Sequence, residues 1–279
     1  MESRLQYISY QPHSYLRPYI DYYWIVRTTR TQTEPRIEKI LPITMQNLIL
    51  YYGDVPGVVA ETGEIVYVPR VSIMGHVTRM QNFLMQGDCY LISARFKPFG
   101  VYRFFDLNPG DFTDDHTEVY MKNQGLIELY DRLFFIRSYP GKIKFLDNFF
   151  LNRLAWFEYK EMKIRSIKYS IEKIYRNNGN VKIHDILFDL NMSERGFRNQ
   201  FEEYTGLAPK IFSRIIRFNH AYGKLMNNNY NSIHDIIYEA GYYDQAHFIN
   251  EFKYFTKSTI RNFNPAFEEF DEMHRAKNV

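Results

Sequence analysis

The chain holds a single cysteine, Cys89, in 279 residues. An internal disulfide is therefore impossible, and the composition fits a reducing compartment. Cys89 itself, inside Gly87-Asp88-Cys89-Tyr90-Leu91-Ile92, reads as a small residue in or beside a strand. There is no run of 18 apolar residues, and the opening Met1-Glu2-Ser3-Arg4-Leu5-Gln6-Tyr7 lacks a charged-then-apolar signal. A cytoplasmic location, on the nucleoid and away from membranes, is expected. Neither sign of charge dominates, with 35 Lys+Arg against 32 Asp+Glu and a net charge of +3. Glycine-rich phosphate loops, a nucleophile elbow and the HExxH zinc helix are all missing. In the N-terminal half His13, His76 and His116 stand without His-x-His spacing or a cysteine pair. These gaps predict no catalytic residues, no metal and no cofactor, hence a protein that is not an enzyme.

What the chain does have is aromatic residues, 18% of the total, and turn signals. Short apolar runs such as Leu48-Ile49-Leu50-Tyr51-Tyr52, Ile65-Val66-Tyr67-Val68 and Tyr90-Leu91-Ile92-Ser93-Ala94-Arg95-Phe96 are separated by Gly53-Asp54, Pro56-Gly57, Thr62-Gly63 and Gly87-Asp88. Such spacing predicts a β-rich domain over residues 1–120, an antiparallel barrel or sandwich. A helical block follows, roughly from Asn123 to Asn178. Leu126, Leu129, Tyr130, Leu133 and Phe134 make one amphipathic stripe, Ser138-Tyr139-Pro140-Gly141 breaks it, and Ile143, Leu146, Phe149, Phe150 and Leu154 make another. These stripes either pack on the β domain or form a dimer seam, with residues 121–163 as the connector.

The C-terminal third repeats itself. Ile183-His184-Asp185-Ile186, Asn191-Met192-Ser193, Phe197, Phe201 and Tyr204-Thr205-Gly206 return as Ile233-His234-Asp235-Ile236, Ala240-Gly241-Tyr242, Phe248, Phe252 and Phe255-Thr256. The offset is 50 residues before the turn and 51 after it, so the second turn is one residue longer. A repeat of this length is one supersecondary unit used twice, and each copy spells a helix-turn-helix. Ser193 and Asp244 sit at N-cap positions, the aromatic residues recur at i, i+4, i+7 as a buried face, and Gly206 suits a C-terminal cap with Pro209 opening the next helix. Between the copies, Lys210 to Asn227 reads as one helix striped by Ile211, Ile215, Phe218, Tyr222 and Leu225. At ~1.5 Å per residue it spans nearly ~30 Å, close to the ~34 Å of one duplex turn.

Paired helix-turn-helix units of this spacing suit two successive major grooves of double-stranded DNA. On the first second-helix, Arg195, Arg198 and Asn199 fall at i, i+3, i+4 opposite the aromatic face; arginine matches guanine and asparagine adenine in bidentate fashion. The 51-residue offset puts Ala246, Ile249 and Asn250 at the same places in the second unit, flanked by Gln245 and His247. That second face is poorer, so the first helix is expected to carry most of the specificity. Lys210, Arg214 and Lys253 are candidate phosphate contacts, which position without specifying sequence. Arg217 is expected to brace the linker helix through a salt bridge. Residues 165–263 hold 14 Lys/Arg against 10 Asp/Glu, whereas the tail 264–279 holds 2 against 4 and is acidic.

Tyr204-Thr205-Gly206-Leu207-Ala208-Pro209-Lys210-Ile211-Phe212, Arg217 with Ala221, and Ala240-Gly241-Tyr242-Tyr243-Asp244-Gln245-Ala246-His247-Phe248 leading to Phe252-Lys253 carry a family likeness. Over about residues 164–263 the chain resembles the DNA-binding domain of the AraC/XylS transcription regulators. The stretch Pro12 to Trp24, with Leu41-Pro42 and Ala94-Arg95-Phe96-Lys97-Pro98-Phe99-Gly100, is similar to an uncharacterised subgroup of their N-terminal domains. The resemblance implies an α+β two-domain protein: a cupin-like N-terminal barrel or sandwich that binds a small-molecule effector or mediates homodimerisation, and an all-α C-terminal domain. It also implies RNA polymerase as a partner if the protein activates. One departure stands out: Lys257 and Ile260 occupy places where the family's second unit has Gly and Pro, so that helix end is expected to be built differently. The alternative is a ligand or partner module whose helix-turn-helix pair has decayed and no longer binds DNA.

Overall fold

The computed structural model describes residues 4–29, 35–105, 107–118, 124–156, 158–226 and 233–263. The acidic tail expected at 264–279 lies outside them. The strands are β1 (Arg4–Tyr10), β2 (Ile20–Thr29), β3 (Arg36–Ile40), β4 (Gln46–Tyr51), β5 (Gly57–Val59), β6 (Ile65–Tyr67), β7 (Val71–Met74), β8 (Gln81–Met85), β9 (Tyr90–Phe96) and β10 (His116–Glu118). They form two open antiparallel sheets, ordered β1-β2-β9-β4-β7-β10 and β3-β8-β5-β6. Of the two architectures that the sequence allows, the sandwich is the one adopted.

Side chains alternate across a strand, and here both faces of the larger sheet are buried. Tyr22, Trp24, Val26, Ile49, Tyr51, Met74 and Leu91 face the smaller sheet, where Val58, Phe83, Met85 and Cys89 join them. Their neighbours Tyr23, Ile25, Leu48, Leu50, Ile73, Ile92, Ala94 and Phe96 face the helices instead. This two-sided burial explains why β4 and β9 read as continuous apolar runs rather than alternating ones.

The helices are α1 (Gly100–Phe104), α2 (Gln124–Phe135), α3 (Tyr139–Trp156), α4 (Lys160–Arg176), α5 (Ile183–Leu190), α6 (Glu194–Thr205), α7 (Pro209–Met226), α8 (Ile233–Glu239) and α9 (Gln245–Thr256). A one-turn 3-10 helix covers Pro109–Phe112. Leu126, Leu129, Leu133, Ile143, Leu146 and Phe150 are buried, so the connector's stripes pack inward, while Phe134 and Phe135 remain outside at 60% and 78% exposure. The last carbonyls of α1 lack helical partners and take cations instead. Lys160 Nζ donates to Tyr102 O (3.1 Å) and Phe105 O (2.9 Å), and Arg153 Nη1 to Phe104 O (3.2 Å). Lys160 opens α4, so the domain boundary expected at residue 164 falls inside a helix that is already anchored to the sandwich.

The apolar core that begins on the larger sheet continues without a break through Ile164, Ile167, Ile171 and Ile174 of α4 to Phe197, Phe201, Phe212, Phe218, Phe248 and Phe252. Polar contacts accompany it. Thr44 Oγ1 and the Tyr175 hydroxyl lie 2.9 Å apart, and Asn219 Nδ2 donates to Pro42 O at 2.9 Å.

Candidate nucleic-acid interface

The duplication is deeper in space than in sequence. Each unit comprises three helices, α4-α5-α6 and α7-α8-α9, and the 51-residue offset also relates the leading helices. Ile164, Ile167, Ser170 and Ile171 of α4 match Ile215, Phe218, Ala221 and Tyr222 of α7, and all eight are buried. Lys173 pairs with Asp189 in the first unit and Lys224 with Glu239 in the second. Hydrogen bonds from Lys173 and Tyr169 hold the Asp189 carboxyl below its usual range. The Ser166–Gln200 hydrogen bond of the first unit (2.9 Å) becomes the Arg217–Glu251 ion pair of the second (3.0 Å).

Both second helices begin with a side-chain cap. Ser193 Oγ accepts from Gly196 N (3.2 Å) and Asp244 Oδ1 from His247 N (2.7 Å), satisfying one of the free amides at each helix start. The turns before them pass through a left-handed residue, Asn191 (φ 49°) or Gly241 (φ 72°). Two steps separate that residue from the cap in the first unit and three in the second, and the extra residue, Tyr243, stands out at 92% exposure.

Helix ends match as well. Thr205 Oγ1 donates to Phe201 O (2.7 Å) and accepts from Leu207 N (3.2 Å); Thr256 Oγ1 donates to Phe252 O (2.7 Å) and accepts from Ser258 N (3.2 Å). Gly206 then takes φ 85°, and Lys257 takes φ 55° with its amide on Lys253 O at 3.0 Å. The expectation that Lys257 forces another ending is therefore corrected: lysine adopts the left-handed cap itself. Its surroundings permit this. A Cβ on Gly206 would meet the Pro109 carbonyl at 2.8 Å, whereas Lys257 is exposed, with Nζ 2.6 Å from Glu61.

On these scaffolds Phe197, Phe201, Phe248 and Phe252 are fully buried. Arg195, Arg198 and Asn199 are exposed along α6, and Gln245, Ala246, Ile249, Asn250 and Lys253 along α9, while His247 is half-buried against the Tyr242 ring at 5.2 Å. Arg198 Nε rests 3.0 Å from Glu202 Oε1, one helical turn on, in an exposed pair that a stronger acceptor displaces at little cost. Between the units opens a groove of about 730 Å3 whose walls include Lys210 and Arg214 from α7 and His247, Asn250 and Tyr254 from α9. The structure thus brings together two of the three candidate phosphate contacts and two of the second unit's candidate readers.

Arg214 is not free in that groove. Its Nε lies 2.7 Å from Glu251 Oε1, which also receives Arg217 Nη2 at 3.0 Å. Arg217 braces α7 as the sequence suggests, and Arg214 shares that duty. Glu251 was not singled out from the sequence, where a mid-helix glutamate reads as surface; only packing shows it 4% exposed between two arginines. The sequence also gave no warning of Phe188 and Tyr238, equivalent residues of α5 and α8 that are 81% and 86% exposed.

In the N-terminal half, one pocket between the sheets has a volume of about 30 Å3 and is bordered by Trp24, Glu38, Tyr51, Met74 and Phe83. That is room for a water or two. Among the described residues no group of three or more His, Cys, Asp or Glu could hold a metal, and no helix is long and apolar enough to cross a membrane.

Two capped helix-turn-helix units, each with an exposed second helix, define a DNA-binding domain. Residues 188–265 match the family described as a helix-turn-helix domain. Residues 8–118 match a family described as a domain of unknown function, DUF6597. No curated protein matches the chain in sequence. Solved structures of similar fold include ToxT from Vibrio cholerae in a P21 crystal form, 12% identical, covering 93% of this chain and 97% of that one with a TM-score of 0.44. Another is ToxT from Vibrio cholerae O395 bound to (E)-4-(8-methylnaphthalen-1-yl)but-3-enoic acid, 14% identical over 85% and 95% with a TM-score of 0.39.

Proposed function

We propose that this chain is a sequence-specific transcription regulator whose α6 and α9 enter successive major grooves on one face of a DNA duplex. The observation that carries this reading is the matching cap geometry of two helix-turn-helix pairs, α5-α6 and α8-α9, joined by α7, an 18-residue helix. At ~1.5 Å per residue it is ~27 Å long, short enough to hold both reading helices within one turn of the duplex. Arg195, Arg198 and Asn199 supply most base contacts. Gln245, Ala246, His247, Ile249 and Asn250 form the weaker second face, with Ile249 offering an apolar contact to a thymine methyl. Lys210 and Lys253 meet phosphates, and Arg214 does so while tied to Glu251. The N-terminal sandwich and connector supply control, through a small-molecule effector or a homodimer contact, and RNA polymerase becomes a partner where the protein activates. The decayed-module alternative loses one of its grounds, because the second unit's cap is intact despite Lys257.

The test is selection of random duplex DNA by the full chain at near-physiological salt, where affinities reflect both phosphate and base contacts. Enrichment of a site with two patches about one helical turn apart is expected. Folded protein that enriches nothing refutes the regulator and leaves the module.

A further inference from the structure

One loop of the sandwich touches the ends of both reading helices. It runs from Gly75 to Met80 between β7 and β8. At its start, the buried His76 ring brings Nε2 to 2.6 Å from the Thr205 carbonyl at the end of α6, and Gln46 Nε2 of β4 donates to the same oxygen at 3.1 Å. At its end, Met80 N donates to Phe255 O near the end of α9 at 2.8 Å, and the Arg79 guanidinium lies over the Tyr254 ring at 4.4 Å. Thr205 and Phe255 sit one step apart in the repeat, so the loop grips nearly the same carbonyl twice. Such carbonyls have no partner within their own helix, and a donor fixed elsewhere in the fold locates the helix end.

The loop is braced from behind. Ile43 and Val77 exchange backbone hydrogen bonds (2.9 and 3.1 Å), Thr78 N donates to Asp114 Oδ1 (2.6 Å) and Asp114 N to His76 O (2.8 Å). A Cβ on Gly75 would lie 2.2 Å from Phe112 O, so the Pro109–Phe112 turn presses directly on it; that turn also backs Gly206.

We infer that the Gly75–Met80 loop is a ruler that fixes the distance and angle between α6 and α9, and so determines which spacing of the two DNA patches the protein accepts. The inference rests on the two-groove reading above. It makes His76, Gln46 and Arg79 positioning residues for DNA selectivity although none of them faces the groove between the units. Without the ruler the ends of α6 and α9 are tied to the sandwich separately, through Thr113 Oγ1 on Gly206 O and Lys257 on Glu61, and each helix settles independently on its half of the site.

The full chain and two variants test it: the combined Gln46→Leu and His76→Phe, which removes both donors to the Thr205 carbonyl and also the Gln46 Oε1 that accepts from Val101 N, and Arg79→Ala at an exposed position that leaves the core untouched. Each is first checked for wild-type circular dichroism. The site selected by the wild type is then rebuilt with one base pair added or removed between its patches, and affinities are compared. The wild type is expected to lose about tenfold or more, on the order of 1.4 kcal/mol, for either change. The double variant is expected to lose less than about threefold, with Arg79→Ala between the two. Folded variants that keep the wild-type penalty overturn the ruler and leave the two-groove reading standing. A wild type that selects a site with one patch only overturns both.

Discussion

A single buried histidine shows how residue chemistry enters this fold. Burial holds the His76 ring below its ordinary range, at about 4, because a charged imidazolium would lose its hydration there. The folded chain therefore resists a proton that the unfolded chain accepts near its ordinary value of 6.5. Stability contributed by the neutral ring is full above about pH 6.5 and falls as the pH drops towards about 4. The loss at pH 5 is expected to be on the order of 2 kcal/mol. Urea unfolding at pH 7 and pH 5 measures it, and His76→Phe should flatten the difference; an equal slope in both proteins would assign the pH response to other groups. At the opposite extreme is Arg198, exposed and lightly tethered to Glu202. Arg198→Ala is expected to cost about 1–3 kcal/mol at its cognate site and to relax base choice there. A uniform loss on every sequence would make Arg198 a phosphate anchor instead.

Among elements, α6 and α9 end in the same left-handed cap with different residues. Gly206 has φ 85° and backbone packed against it, so Gly206→Ala meets both conformational strain, about 1–2 kcal/mol, and a collision with Pro109. Lys257 already bears the strain in open surroundings. Lys257→Gly is expected to leave stability unchanged or raise it by up to about 1 kcal/mol. Thermal melts of the two single variants check the asymmetry: a large fall for Gly206→Ala and none for Lys257→Gly. Comparable effects would show that the cap, rather than its neighbours, decides the cost. The elements themselves were largely legible. Capping residues and the i, i+4, i+7 aromatic rows marked α6 and the start of α9 to within a residue, because both signals are local. The α4 boundary was not, since Lys160 shows its value only against α1 carbonyls distant in sequence.

For the molecule as a whole, the shared core predicts one cooperative unfolding unit rather than two independent domains. Calorimetric and van't Hoff enthalpies are expected to agree within error. A fragment starting at Ile164 cuts α4 and exposes apolar surface that the sheet and connector cover, so it should aggregate or lose its fixed tertiary structure. A monomeric, cooperatively melting fragment would show that the units stand alone. The sequence by itself determined the presence of two helix-turn-helix units, their caps, their apolar faces and the polar residues opposite, since each depends on spacing within about a dozen positions. It determined the β-rich character of the first 120 residues for the same reason. Only the tertiary structure decided between barrel and sandwich, tied Arg214 and Arg217 to Glu251, and set His76 under the end of α6. Those pairings join residues from 34 to 129 positions apart, and no local period records which distant side chain will complete a buried charge or an unpaired carbonyl.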